Sequence, residues 1–125
     1  MSKELAQLLF PNVDKTIEYY EDLYPERNLD KKAKVTRLGP SPTGFIHLGN
    51  LYGALVDERI AHLNDGTMLL RIEDTDDKRK VEGSEELIIR SLKFFGIEFD
   101  EGVSLDGEKG IYGPYRQSDR KEIYQ

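Results

Sequence analysis

Three side chains in this sequence have the types and spacing to hold a small charged ligand: Arg37, Glu73 and His47. Arg37 presents a planar fork of donors that matches a carboxylate, and Glu73 can accept an ammonium group. Placed on adjacent strands, the two would suit a zwitterionic amino acid. His47 follows Gly39-Pro40-Ser41-Pro42-Thr43-Gly44 and can donate a hydrogen bond to an anion. The two prolines in that stretch fix φ, remove two backbone donors and push the residue before each away from the helical region. Gly39, Gly44 and Gly49 let a ligand or a second backbone come close. A stiff loop of small residues between a strand and a helix start is where α/β proteins usually bind phosphates. A tight turn with a surface histidine, and an Arg37–Glu73 salt bridge with no ligand, are the plainer alternatives. Residue chemistry leaves both pairs of readings open.

Glu73, Asp74, Asp76 and Asp77 form an acidic run that could also be a metal cluster. The run lacks the glycine and the twelfth-position glutamate of a calcium loop, so a solvated acidic loop is the default. Cysteine is absent, which excludes disulfides and thiolate metal sites within this chain. No protein-bound metal is expected.

The elements that must position these residues are legible from periodicity. Ala33–Leu38 reads as a buried strand that leads into the Pro-Gly turn. Leu48, Leu51 and Leu55 then share one helical stripe, with Tyr52, Val56, Ile60 and Leu63 on the next. A helix apolar over so wide an arc is expected to pack against a sheet. Asn64-Asp65-Gly66 stops it, with Gly66 suited to a left-handed cap. Thr67 to Ile72 is a second strand, apolar on both sides as a covered parallel strand would be. Strand, helix and strand within about forty residues make a crossover unit whose ligands sit outside the strands' carboxyl ends. A second helix runs from Gly83 to Gly96 with Ile88, Leu92 and Phe95 on one face. Ile97–Phe99 is a short extended piece, and Gly102–Pro114 is a glycine-rich loop.

Ahead of this unit, Ser2–Asp30 is a helical extension in two parts. Leu5, Leu8 and Leu9 line the first, Phe10-Pro11-Asn12 breaks it, and Ile17, Tyr20, Leu23 and Tyr24 line the second up to Pro25. Its aromatics are expected to pack on their own domain. At the other end Asp119 and Glu122 have the spacing of a capping box, and the helix they open runs to the last residue, so the chain is read as a fragment.

The 125 residues include 38% apolar and 34% charged positions and a net charge of −6, ordinary for a soluble protein. That charge argues against a stand-alone nucleic-acid binder that neutralises phosphates. No apolar run has membrane-spanning length, and the start lacks a signal peptide's basic and apolar regions. No membrane association is expected, and a cytoplasmic location fits.

Arg37-Leu38-Gly39-Pro40-Ser41-Pro42-Thr43-Gly44-Phe45-Ile46-His47-Leu48-Gly49-Asn50 resembles the first signature of class I glutamyl-tRNA synthetases. Arg71-Ile72-Glu73-Asp74-Thr75-Asp76 resembles that family's second signature, and Gly113-Pro114-Tyr115-Arg116-Gln117-Ser118 its third. The resemblance covers Lys34 to Gln125 and leaves residues 1–33 without a role. It implies an α/β fold: the first half of a Rossmann-type nucleotide-binding domain with parallel strands at 34–125, preceded by the helical extension at 1–33. It implies an ATP site at Pro42, Thr43, Gly44, His47, Gly49 and Asn50, with His47, Gly49 and Asn50 as the catalytic set. Asn50 stands where class I enzymes typically have a second histidine, which leaves His47 as the better candidate for the phosphates. Arg37, Ser41 and Glu73 match glutamate-site residues, with Arg37 taking a carboxylate and Glu73 the α-amino group. Gly39 stands where the family more often has alanine. Tyr115, Arg116 and Ser118 are given an acceptor-end or structural role.

The implied substrates are glutamate, ATP with Mg2+, and tRNA, the last held mostly by regions outside this chain. Two alternatives accompany this reading: a glutamyl-Q-type paralogue that modifies a tRNA base, and a non-catalytic nucleotide-binding module. A half-fold would expose a strand edge and an uncovered apolar face, so self-association of the piece is also expected.

Overall fold

Val35–Leu38 (β1) and Thr67–Leu70 (β2) pair in parallel, Val35 opposite Thr67 through Leu38 opposite Leu70. The computed structural model describes residues 3–76 and 78–124, and within them Leu48–His62 (α3) joins these two strands. A second crossover through Ser84–Phe94 (α4) delivers Glu101–Ser104 (β3) parallel to β2. Gly107–Lys109 (β4) then returns antiparallel to β3, giving the strand order β1-β2-β3-β4. Lys3–Leu9 (α1) and Ile17–Leu23 (α2) precede the sheet. Thr16 caps α2 by accepting the amide of Tyr19 at 3.3 Å, which satisfies one of the helix's orphan donors. Among the described residues no helix is long and apolar enough to cross a membrane.

The core is central on β2. Met68, Leu70 and Ile72 are fully buried, with Ile88, Leu92 and Val103 from the flanking elements. Each such side chain contributes roughly 1.5–3 kcal/mol relative to exposure. A strand buried on both faces has to be apolar at successive positions, which is why Thr67–Ile72 lacks a polar alternation.

Five expectations need correcting. The extended piece placed at Ile97–Phe99 lies at β3, and the loop expected over Gly102–Pro114 contains the β3–β4 hairpin. Gly102 in β3 and Gly107 in β4 carry positive φ, and their low strand propensity masks a hairpin that is held in place by the pairing of β3 with β2. The left-handed residue after α3 is Asp65 (φ 51°), not Gly66. Gly66 is needed for a different reason: a Cβ there would lie 1.9 Å from the Lys34 carbonyl oxygen. The helix beginning at Ser118 is a 3-10 turn, Ser118–Arg120, followed by Lys121–Tyr124 (α5), and its N-cap Gln117 makes no side-chain cap bond.

The fourth correction concerns α3. Only Ala54, Glu58 and Ala61 of this helix are buried, so it meets the sheet through a narrow stripe of small residues. Leu48, Tyr52 and Leu63 are 79%, 69% and 80% exposed. The wide apolar arc is therefore real but is not consumed by this sheet, which among the described residues ends at β1. The strand expected to be buried over Ala33–Leu38 is that edge: only Leu38 of β1 is buried and Val35 is half exposed, because no further strand covers it among the described residues.

At the amino-terminal ends of the strands, His62 is held between two carboxylates. Its Nδ1 lies 3.0 Å from Glu58 Oε1 and its Nε2 2.9 Å from Asp100 Oδ2, which also accepts the Met68 amide. Both carboxylates are acceptors, so the ring satisfies them best with both nitrogens protonated. The Asp100 bond, opposed by burial and helped by Glu58, raises the imidazole above its ordinary range. A raised folded-state pKa gives stability that is complete below the unfolded value near 6.5 and lost as pH rises through the folded value. The thermal midpoint is therefore expected to fall by a few degrees between pH 6 and pH 8.5, and His62→Gln to flatten that slope. An unaltered slope in the variant would show that this ring does not link α3 to the sheet.

Candidate functional site

The loop that leaves β1 is stitched to the loop that leaves β2. The Arg71 amide donates to the Leu38 carbonyl and the Glu73 amide to the Pro40 carbonyl, each at 3.0 Å, so the parallel ladder continues past both strands. Further on, the Pro42 carbonyl accepts the Val81 amide at 3.0 Å and the Ser84 hydroxyl at 2.8 Å. The prolines donate nothing themselves, but their carbonyls are the anchor points. Pro40 and Pro42 are accordingly buried, whereas Ser41 and Thr43 between and beyond them stay exposed.

These anchors shape a cleft of about 300 Å³ whose lining includes Pro40, Ser41, Thr43, Gly44, His47 and Asn50. His47 is the N-cap of α3, and its Nδ1 accepts the Gly49 amide at 3.1 Å. An acceptor Nδ1 leaves the ring proton on Nε2, which is free to donate outward. The first turn of α3 contains no acidic side chain, so no residue competes for the positive end of its dipole. Asn50 makes no side-chain hydrogen bond among the described residues.

Arg37 and Glu73 meet directly: Arg37 Nη1 donates to Glu73 Oε1 across the carboxyl ends of β1 and β2. The guanidinium is 48% exposed and the carboxylate 33%, and a pair so open to water is worth roughly 0–1 kcal/mol. It is thus easily exchanged for contacts to a ligand. A Cβ on Gly39 would come within 2.7 Å of Glu73 Oε1 and 2.9 Å of Arg37 Nη1, so the missing side chain is what lets the two close on each other.

The rest of the acidic run is committed elsewhere. Asp74 is buried, and its two oxygens accept the Ser118 amide at 2.9 Å and the Ser118 hydroxyl at 2.8 Å. Burial pushes its carboxyl up, and the bonds from Ser118 outweigh that and hold it below the usual range. Asp76 pairs with Arg79, and Asp77 lies outside the described residues. Tyr115 is buried with its hydroxyl donating to Glu101 Oε2 at 3.0 Å, and Arg116 forks onto Glu85 of α4. The polar atoms of Tyr115, Arg116 and Ser118 are spent on internal partners, and none of the three lines the cleft.

The family described as tRNA synthetases class I (E and Q), catalytic domain, matches residues 34–125. The chain belongs to that family. Curated relatives of this synthetase chain include a "Glutamate--tRNA ligase" of Acetivibrio thermocellus, 66% identical over 124 residues, and one of Clostridium perfringens, 52% identical over 124 residues. Each match covers 98% of this chain and 23% of the relative, so the chain spans about a quarter of the length of these proteins. A solved structure of a glutamate tRNA ligase from Elizabethkingia meningosepticum, in complex with its amino acid, superimposes with a TM-score of 0.68 at 48% identity. That match covers 75% of this chain and 18% of the other. The synthetase fold here is a partial Rossmann-type domain.

Sequence reasoning missed the Asp74–Ser118 contact, because an aspartate in an acidic run looks solvated and its partner lies 44 residues away. It also missed Glu58–His62, which has the i, i+4 spacing of a helical pair and was open to detection.

Proposed function

We propose that the protein carrying this chain is a glutamate–tRNA ligase, which activates glutamate with ATP to glutamyl-adenylate and passes the acyl group to the terminal ribose of tRNA. The observation that supports this most is the juxtaposition of Arg37 and Glu73 at the carboxyl ends of two parallel strands, beside a helix capped by His47. Arg37 takes a carboxylate of glutamate and Glu73 its α-amino group, with Ser41 beside them. Pro42, Thr43, Gly44, His47, Gly49 and Asn50 form the ATP side. Residues 1–33 are an appended extension and 34–125 the first part of the catalytic unit. A cytoplasmic location goes with this reading.

The glutamate carboxylate attacks the α-phosphorus, and pyrophosphate leaves. The nucleophile is already an anion, so this chain contributes position and charge stabilisation more than proton transfer. Nε2 of His47 and the amino-terminal end of α3 face the developing phosphate charge. Magnesium carried by ATP adds further neutralisation there. Among the described residues no group of three or more histidines and carboxylates is arranged to hold a metal.

The intact protein, assayed with its tRNA present, is expected to catalyse ATP–pyrophosphate exchange that depends on glutamate. Residues 1–125 alone are expected to be slower by about a thousandfold or more, since the transition-state contacts of the rest of the catalytic unit are missing. Exchange with glutamine and not glutamate, or undiminished exchange by residues 1–125, would sink the proposal. The relatives' names favour this reading over the tRNA-modifying paralogue.

A further inference from the structure

Residues 1–33 lie outside the stretch that the family matches, yet two of their side chains grip it firmly. Arg27 holds Glu101 with both arms of its guanidinium, Nη2 to Oε2 at 2.8 Å, and lies 3.9 Å over the centre of the Tyr112 ring. Its side chain is only 20% exposed and that of Glu101 15%, so this pair is far better shielded than Arg37–Glu73. The Tyr24 hydroxyl donates to the Gly113 carbonyl at 2.9 Å. Arg120 closes the same knot, donating to the Pro114 carbonyl at 2.8 Å with its guanidinium 5.5 Å from the Tyr24 ring centre.

What this knot holds is connected to the site. Glu101 also accepts the Tyr115 hydroxyl, and that hydroxyl accepts the Tyr112 amide. The Tyr115 carbonyl accepts the Ile72 amide at 3.0 Å, and the Gln117 amide donates to the Ile72 carbonyl at 2.9 Å. Residues 115–117 thus lie as an extra parallel rung against Ile72, whose neighbour is Glu73.

We propose that Tyr24 and Arg27 are positioning residues: the extension clamps residues 112–115, and through the rungs on Ile72 it sets the end of β2 from which Glu73 rises. The kinetic half of this rests on the glutamate reading of Glu73. The structural half stands on the hydrogen bonds alone.

The test is Arg27→Met in the intact ligase, which keeps most of the stem and removes the fork. Amide hydrogen exchange at Ile72, Gln117 and Ser118 is expected to speed up about tenfold, and at Thr67 and Leu87 to stay unchanged as proof of fold. KM for glutamate is expected to rise about fivefold while KM for ATP stays within about twofold. Tyr24→Phe, which loses only a hydroxyl, should shift both readouts in the same direction by about twofold to threefold. Unchanged exchange at those three amides in Arg27→Met overturns the brace. Faster exchange with an unmoved glutamate KM overturns its link to the site. Absence of glutamate-dependent activity in the wild type would instead overturn the substrate reading, and is told apart because hydrogen exchange needs no substrate.

Discussion

Gly102→Ala is expected to unfold much of the sheet. Gly102 sits in β3 opposite Leu70 with φ +128°, a backbone conformation that L side chains rarely adopt. A Cβ there would lie 2.0 Å from the Leu70 carbonyl oxygen and 2.8 Å from the Leu70 amide nitrogen. Neither neighbour can swing away, because both are backbone of the most buried strand. The chain must then separate β2 from β3 or bend one of them. Backbone strain of about 1–3 kcal/mol adds to the lost pairing, so a cost of about 4 kcal/mol is expected. Domains have only about 5–15 kcal/mol in total. Gly107→Ala separates the two causes: φ there is +116°, but nothing lies within 4 Å of the added Cβ. It should carry the strain alone, at about 1–2 kcal/mol. Denaturant midpoints that are equal for the two variants would show that the close approach of β2 and β3 does not matter.

On the proposed reading, Glu73→Gln in the intact protein is expected to lower kcat/KM for glutamate by about tenfold to a hundredfold, the size of a lost hydrogen bond to a charged group. KM for ATP should stay within about twofold, because the nucleotide side is proposed to lie on the loop and on α3. The substitution is close to isosteric, and the pair it breaks is exposed, so stability should change by less than about 1 kcal/mol. That separation makes the variant informative. Equal losses for both substrates would mean that Glu73 supports the whole site and does not bind the amino group.

How much of this was legible in the sequence depends on the range of the forces involved. β1, α3 and β2 follow from local patterns: β2 is apolar throughout as a buried parallel strand is, and β1, though only its Leu38 is buried, is an extended run that a Pro-Gly turn separates from its helix. The placing of Arg37, Glu73 and His47 at one end of the sheet follows from the same topology. β3 did not show, because Gly102 has low strand propensity and the pairing with β2 and β4 imposes its conformation. Asp74 was misread as part of a solvated run because its partner Ser118 is distant in sequence. The packing of α3 was half legible: its apolar arc is there, but Ala54 and Ala61 make the sheet contact and the large side chains look outward. The role of Tyr24 and Arg27 depends wholly on tertiary contacts with residues 101–115.

The anchoring of the Pro40 and Pro42 carbonyls also bears on motion. Both carbonyls lie at the start of the loop after β1 and are bonded to the segment after β2, so the stretch that follows Arg37 is tied to the segment that carries Glu73. A stretch tied in this way has little travel of its own. On the proposed ligase reading, a closing movement that expels water from around the adenylate is expected to come from the other side of the pocket, with the start of this loop as the fixed jaw.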